Sequence, residues 1–190
     1  MSMSTPVDLI GHSWGGFVAL RLTMDHPEIV RSVSLFEPII SSLSQDHELF
    51  AAEMQNMDEV ARQIEIGDRA MAARLFMRVW GDGRPWADLP EALRDACTHG
   101  IAHVVASQPA LMLDSTNSMQ PQALANISVP VTVIDGERSP DLAHAIQDTL
   151  ASRIPGATRV TIAGAGHMGP ISHAADVAAA IRENLARAAG

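Results

Sequence analysis

The chain has 190 residues, 47% of them hydrophobic and 18% charged; this is the composition of a globular domain with one sizeable core, and it excludes a disordered, collagenous or disulfide-scaffold protein. With 13 Lys+Arg against 22 Asp+Glu the net charge is −9 and no basic run interrupts it, so small-molecule partners are expected rather than nucleic acid or a membrane surface. One cysteine, Cys97, leaves no internal disulfide, the opening MSMSTP lacks the character of a signal sequence, and no long apolar run occurs, so a cytoplasmic protein is expected.

In chain order, the first predicted element is a strand, Pro6-Val7-Asp8-Leu9-Ile10, running into Gly11. Room for one helix follows from Ser13 to His26, closed by Pro27. A second strand, Val30 to Phe36, alternates Val30, Ser32 and Ser34 against Arg31, Val33 and Leu35 before Glu37-Pro38 stops it. About ninety residues then separate Pro38 from Pro130, far more than one connection needs. Their pattern is helical: Phe50, Met54, Met57, Ala61 and Ile64 share a face, Asp68 is placed to cap a second helix carrying Met71, Leu75 and Val79, and Leu93, Cys97, Ile101 and Val104 predict a third. A third strand, Pro130 to Ile134, leads to a helix from Pro140 to Arg153 with Leu142, Ile146 and Leu150 on one side. The fourth strand, Arg159 to Ile162, ends at Gly164 and Gly166, and a last helix spans roughly Ala175 to Ala188.

Strands separated by helices predict an α/β fold, a parallel sheet of about four strands with right-handed crossovers. Residues 1–37 and 130–190 form its core, and residues 38–129 form an inserted helical cap over the strand ends. Function is expected at the carboxyl ends of the strands.

The strongest chemical signal is Gly11-His12-Ser13-Trp14-Gly15-Gly16, between a strand and a helix. It has the G-x-S-x-G pattern of a nucleophile elbow, in which a sharp strand-to-helix turn strains the serine backbone and exposes its hydroxyl. Gly11 and Gly15 are expected to relieve clashes at the turn, and Gly16 to keep the helix close to the sheet. The plainer alternative is a serine that only caps the helix. A nucleophilic serine needs a base, and of eight histidines His167 has the right setting, in Gly164-Ala165-Gly166-His167-Met168 after the last strand, in the chain order serine, acid, histidine. The same glycines satisfy G-x-G-x-x-G, but only about twenty residues follow, too few for the rest of a dinucleotide-binding unit. His12, His26, His47, His144 and His173 have ordinary positions. His99 and His103 are four apart on a helix, yet Gly100 follows His99 where a zinc-hydrolase helix carries Glu, so neither a metal nor a cofactor is expected. Carboxylates that could orient the imidazole stand at two strand ends: Glu37 after the second, and Asp135, Glu137 and Asp141 after the third.

From Asp8 to the final helix these motifs resemble the α/β-hydrolase family, in the branch with a helical cap. The resemblance implies that Ser13 is the nucleophile, that the backbone N–H of Trp14 is one oxyanion donor, and that His167 is the base. In most relatives the acid is an aspartate in the loop after the strand that is third here, where this chain has Ser139; Ser139-Pro140 reads as a helix N-cap followed by proline. Some relatives supply the acid one strand earlier, which favours Glu37, with Asp141 as the alternative and Asp135 or Glu137 behind it. The family also places several strands before the elbow, and one loop there donates a second oxyanion N–H. Nothing here precedes Pro6 in that role, so the expectation is a late start or a fragment with impaired activity.

The expected function is that of a serine hydrolase acting on an ester or related carbonyl substrate through an acyl-enzyme. The alternatives are a truncated, weakly active or non-catalytic relative, and a cofactor-free haloperoxidase or carbon-carbon bond hydrolase on the same residues. Met54, Met57, Met71, Phe76, Trp80 and Trp86 are candidates for lining an apolar substrate pocket, or simply for cap-to-body packing; Cys97 is expected in the core. The exposed first strand is a candidate edge for a homo-oligomer.

Overall fold

The computed structural model describes residues 6–115, 117 and 119–189; the opening segment read above for a signal sequence lies outside this range as far as Thr5. Strands β1 (Val7–His12), β2 (Val30–Phe36), β3 (Val131–Gly136) and β4 (Thr158–Ile162) form one parallel sheet in the order β1-β2-β3-β4. β1 and β3 run two residues beyond their predicted ends, because Gly11 and His12 still pair with Leu35 and Phe36, and Gly136 with Ile162. Helix α1 (Trp14–Asp25) joins β1 to β2. Between β2 and β3 lie α2 (Phe50–Glu65), α3 (Arg69–Trp80), α4 (Glu91–Leu113) and the short α5 (Pro121–Ala125). Helix α6 (Asp141–Arg153) joins β3 to β4, and α7 (Gly169–Ser172) and α8 (Ala174–Ala189) follow β4.

Strand alternation divides the core between the two faces of the sheet. Val33, Leu35 and Val133 pack with Leu20 of α1 and with Ile146 and Leu150 of α6. Phe36, Ile134 and Ile162 pack with Val177 and Ala180 of α8. Ser32 and Ser34, which alternate with the apolar residues of β2, are buried as well, since helices cover both faces as parallel sheets require. The cover over that polar row is itself polar: Asn184 Nδ2–H donates to the Val33 carbonyl at 2.7 Å and to Ser34 Oγ at 3.0 Å, and Arg187 donates to the Val131 carbonyl at 2.9 Å and to Thr132 Oγ1 at 2.8 Å.

The long connection is helical, as its periodicity predicts. Val60, Ala72, Ala73 and Ile101 form a small core among α2, α3 and α4. Asp68 Oδ1 accepts the Met71 N–H at 2.9 Å, which is the predicted cap of α3. The third helix runs on to Leu113, past Pro109. At the flanks of the insert, Ile40, Leu43, Met119, Leu124 and Ile127 join the main cluster under the sheet, which anchors the helices above the strand ends. Among the described residues no helix is long and apolar enough to cross a membrane.

Candidate active site

Ser13 stands between β1 and α1 with φ 56° and ψ −125°, a region that costs a non-glycine residue on the order of 1–3 kcal/mol. The sheet over-determines it: the Ser13 N–H donates to the Phe36 carbonyl at 3.0 Å, extending the β1–β2 ladder by one bond. Its hydroxyl makes no helix-capping hydrogen bond; it lies 3.1 Å from His167 Nε2. Gly11 is sterically required, since a Cβ there would stand 2.5 Å from the Gly15 carbonyl oxygen and 2.6 Å from Gly16 Cα. Gly16 is required for a different neighbour than expected, Pro38, whose Cβ would be 2.8 Å away. Gly15 corrects the steric argument, because a Cβ there meets nothing within 4 Å.

Glu37 follows β2 with φ 41°, a second strained non-glycine residue at a strand end. Its N–H donates to the Ile134 carbonyl at 2.9 Å, so the ladder also grips this residue. The carboxylate is fully buried, and a buried charge persists only when its oxygens are satisfied. Oε1 accepts the Gly136 N–H at 2.7 Å and the Ser139 hydroxyl, and Oε2 lies 2.7 Å from His167 Nδ1. With two donors committed to Oε1, the carboxylate acts as acceptor at Oε2. The network therefore assigns the proton of neutral His167 to Nδ1, leaving Nε2 to accept from Ser13. Ser139 is not the helix cap its sequence suggests: Pro140 occupies that position with no side-chain cap bond, and the serine hydroxyl is spent on Glu37.

The other candidate carboxylates are elsewhere. Asp141 is the exposed first residue of α6. Asp135 is buried among His144 Nδ1 at 2.7 Å, Thr161 Oγ1 at 2.7 Å and Arg159 Nη2 at 2.5 Å. Glu137 accepts the Gly164 N–H at 2.7 Å and so holds the loop that carries His167.

His12, an ordinary neighbour by sequence, belongs to this cluster. Its Nε2–H donates to the His167 carbonyl at 2.8 Å, and the two rings lie 4.8 Å apart. Burial, then the adjacent His167, push its pKa down to about 4, against the opposing pull of that hydrogen bond. His12 therefore stays neutral beside His167 at neutral pH. The indole of Trp14 meets His103 of α4 edge to face at 4.9 Å, while the Trp14 backbone N–H, at the first position of α1, has no acceptor within the helix. His99 Nδ1 lies 2.7 Å from the Asp95 carbonyl oxygen one turn earlier on α4. Among the described residues no group of three or more metal-ligating side chains occurs.

Two clefts open onto Ser13, and Phe76 and Trp80 line both. The first encloses about 60 Å³ between Ser13, Trp14, Ile39, Ser41 and the insert residues Glu53, Met57, Phe76, Trp80, Val104 and Met112. The second, about 590 Å³, is bordered by His12, Ser13, Trp80, Leu93, Cys97, His167 and Ile171. Of the pocket candidates read from the sequence, Met57, Phe76 and Trp80 reach these clefts, whereas Met71 and Trp86 line a separate groove with Arg74 and Arg78. Met54 packs against the Met57, Leu111 and Met112 cluster. Cys97 packs on the small core of the insert and also borders the second cleft; burial raises its thiol pKa. Trp80 meets His167 edge to face at 5.2 Å and donates its indole N–H to Glu53 Oε1 at 2.9 Å. The sequence reading missed Glu53. Its signal was there, a carboxylate on the apolar face of α2 one turn from Phe50 and Met57.

The site can thus raise the nucleophilicity of one hydroxyl, move a proton through one imidazole and stabilise the resulting cation with one buried carboxylate. Its parts come from the carboxyl ends of all four strands: Ser13 after β1, Glu37 after β2, Ser139 after β3 and His167 after β4.

Known proteins agree with this architecture. The chain is similar to a pimeloyl-(acyl-carrier protein) methyl ester esterase of Neisseria meningitidis, 28% identical over 190 residues that cover 95% of this chain and 57% of the relative. It is 27% identical over 183 residues to the dihydrolipoyllysine-residue acetyltransferase component of an acetoin cleaving system of Cupriavidus necator, covering 93% of this chain and 45% of that protein. It thus spans about half the length of these curated relatives. Among solved structures, a thermophilic esterase from Thermogutta terrifontis superposes with a TM-score of 0.66 at 20% identity, over 97% of this chain and 66% of that one, which shows a shared fold. The model of the alpha/beta hydrolase family matches residues 3–180, and to that family this chain belongs.

Proposed function

We propose that this chain carries the reacting centre of a serine hydrolase that cleaves an ester or related carbonyl substrate through an acyl-enzyme. The observation that carries the reading is the continuous hydrogen-bonded row from Ser13 Oγ through His167 to Glu37, at 3.1 Å and 2.7 Å. Ser13 Oγ attacks the carbonyl carbon while its proton passes to His167 Nε2. Negative charge collects on the carbonyl oxygen, towards the Trp14 N–H at the start of α1, where the helix dipole favours an anion. Collapse of the tetrahedral intermediate returns the proton from Nε2 to the leaving oxygen. Water, deprotonated by the same nitrogen, then releases the acid and restores Ser13. Glu37 holds the Nδ1–H tautomer and stabilises the transient imidazolium. Similarity to an esterase sequence supports the class of reaction.

The test is covalent labelling by a fluorophosphonate followed by peptide mapping. Labelling on Ser13 that vanishes in Ser13→Ala is expected; folded protein that takes up no label would sink the proposal.

A further inference from the structure

The two clefts meet Ser13 from different sides, and the direction of proton transfer assigns them. His167 Nε2 must reach the leaving oxygen, and His167 borders only the roomier of the two clefts. The leaving group therefore occupies that cleft, and the acyl chain the smaller one, beside Trp14. At about 10–15 Å³ for each water-sized occupant, the 60 Å³ of the smaller cleft hold roughly five non-hydrogen atoms.

This small space is lined mostly by apolar side chains, with His103, Ser107 and Gln108 along α4 and with two buried polar residues, Ser41 and Glu53. Ser41 is completely buried, and its hydroxyl is without a hydrogen-bond partner among the described residues. Glu53 is 8% exposed, and among the described residues its carboxyl receives one donor, the Trp80 indole at 2.9 Å. Unmet hydrogen bonds in such a place are costly, and a ligand group that met both would recover that cost. We propose that the smaller cleft is an acyl-chain specificity pocket in which Glu53 and Ser41 select a short acyl group bearing a neutral hydroxyl or carboxamide. The inference deepens the serine-hydrolase reading and rests on it for the assignment of the clefts.

Charge decides the class of group. Among the described residues the ionisable side chains bordering the cleft are Glu53 and the exposed His103, with no arginine, so a carboxylate-bearing chain would set a second carboxyl against Glu53 with no guanidinium to pair it. Burial raises the Glu53 pKa, with the Trp80 hydrogen bond opposing; the Glu53 carboxyl can accept a hydrogen bond and the Ser41 hydroxyl can both donate and accept. A hydroxyl or carboxamide matches that pair of roles, whereas an ammonium group would need Glu53 ionised.

The test compares ethyl 3-hydroxybutanoate with its isostere ethyl 3-methylbutanoate by titration of released acid, reading the kcat/KM ratio within each protein so that general losses of rate cancel. A preference for the hydroxy ester of about 10- to 100-fold is expected, falling to near unity in Glu53→Leu and Ser41→Ala and retained in part by Glu53→Gln. The same pair presented as amides to Ser13→Ala protein gives a ratio of Kd values that needs no turnover. Fluorophosphonate labelling run alongside separates the two ideas: absent labelling with a retained Kd preference overturns the hydrolase reading and leaves the pocket standing. Equal ratios for both partners in wild type and variants, or a preference for ethyl 3-aminobutanoate, overturn the pocket.

Discussion

Ser139 and Glu37, 102 positions apart, share a buried hydrogen bond in which the serine hydroxyl donates to the carboxylate oxygen that also accepts the Gly136 N–H. The strand end where the family resemblance puts an acid thus supplies a support for Glu37, the carboxylate that meets His167 from the neighbouring strand. Replacing Ser139 with Ala removes one donor from a buried charge. Stability should fall by about 1.5–3 kcal/mol, the range for hydrogen bonds to ionised groups, with turnover lowered about tenfold as Glu37 loosens. Urea melts and ester kinetics check this; an unchanged melt would mean the hydroxyl is not engaged in solution.

Glu37 and Asp141 make opposite demands on the site. Glu37→Gln should lower kcat by roughly 10⁴, the loss seen in the protease template when the imidazole is held in the wrong tautomer. Asp141→Asn, at an exposed helix start, should stay within about twofold of wild type. Steady-state kinetics on any turned-over ester decide it, and the reverse pattern would move the acid to α6.

His12 makes the fold sensitive to acid. Its pKa is about 4 in the folded chain against 6.5 for the free side chain, so the unfolded state binds the proton first. The contribution is complete above pH 6.5 and is lost as the pH falls towards 4, amounting to about 3 kcal/mol over that window. Denaturant melts of wild type and His12→Gln at pH 7 and pH 5 should show the smaller pH dependence in the variant. Equal slopes would show that His12 titrates normally.

The elbow glycines separate by stability alone. Gly11→Ala drives a Cβ to 2.5 Å from the Gly15 carbonyl oxygen and should cost about 1–3 kcal/mol, as overpacking does. Gly15→Ala meets open space inside α1 and should raise stability by up to about 1 kcal/mol through helix propensity. Thermal melts of the two variants moving in the same direction would contradict this geometry.

Much of the architecture was legible because it is written in local periodicities. The strand alternation of Val30 to Phe36, the helical stripe from Phe50 to Ile64 and the cap at Asp68 all appear where short-range sterics and hydrogen bonding predict them. Errors came where a residue's partner is distant. Ser139-Pro140 reads as a helix start, and locally nothing contradicts that; a carboxylate arriving from β2 redirects the hydroxyl. Gly15 reads as a steric necessity because it completes a motif, yet the tight approach is between Gly11 and the helix backbone.

By itself the sequence determined the class of fold, the strand-turn-helix that strains Ser13 and the glycine-rich loop that presents His167, since each depends on conformational preferences within a few residues. Tertiary structure brought Glu37, the carboxylate the family resemblance favoured, against His167 and kept the other three carboxylates apart, set Ser139 and His12 beside the two catalytic candidates, and placed Glu53 and Ser13 on one cleft that Trp80 also lines. Those relations depend on which strand ends and helix faces meet in space. The hydrogen bonds involved join residues from 27 to 155 positions apart, distances over which no local pattern carries information about partners.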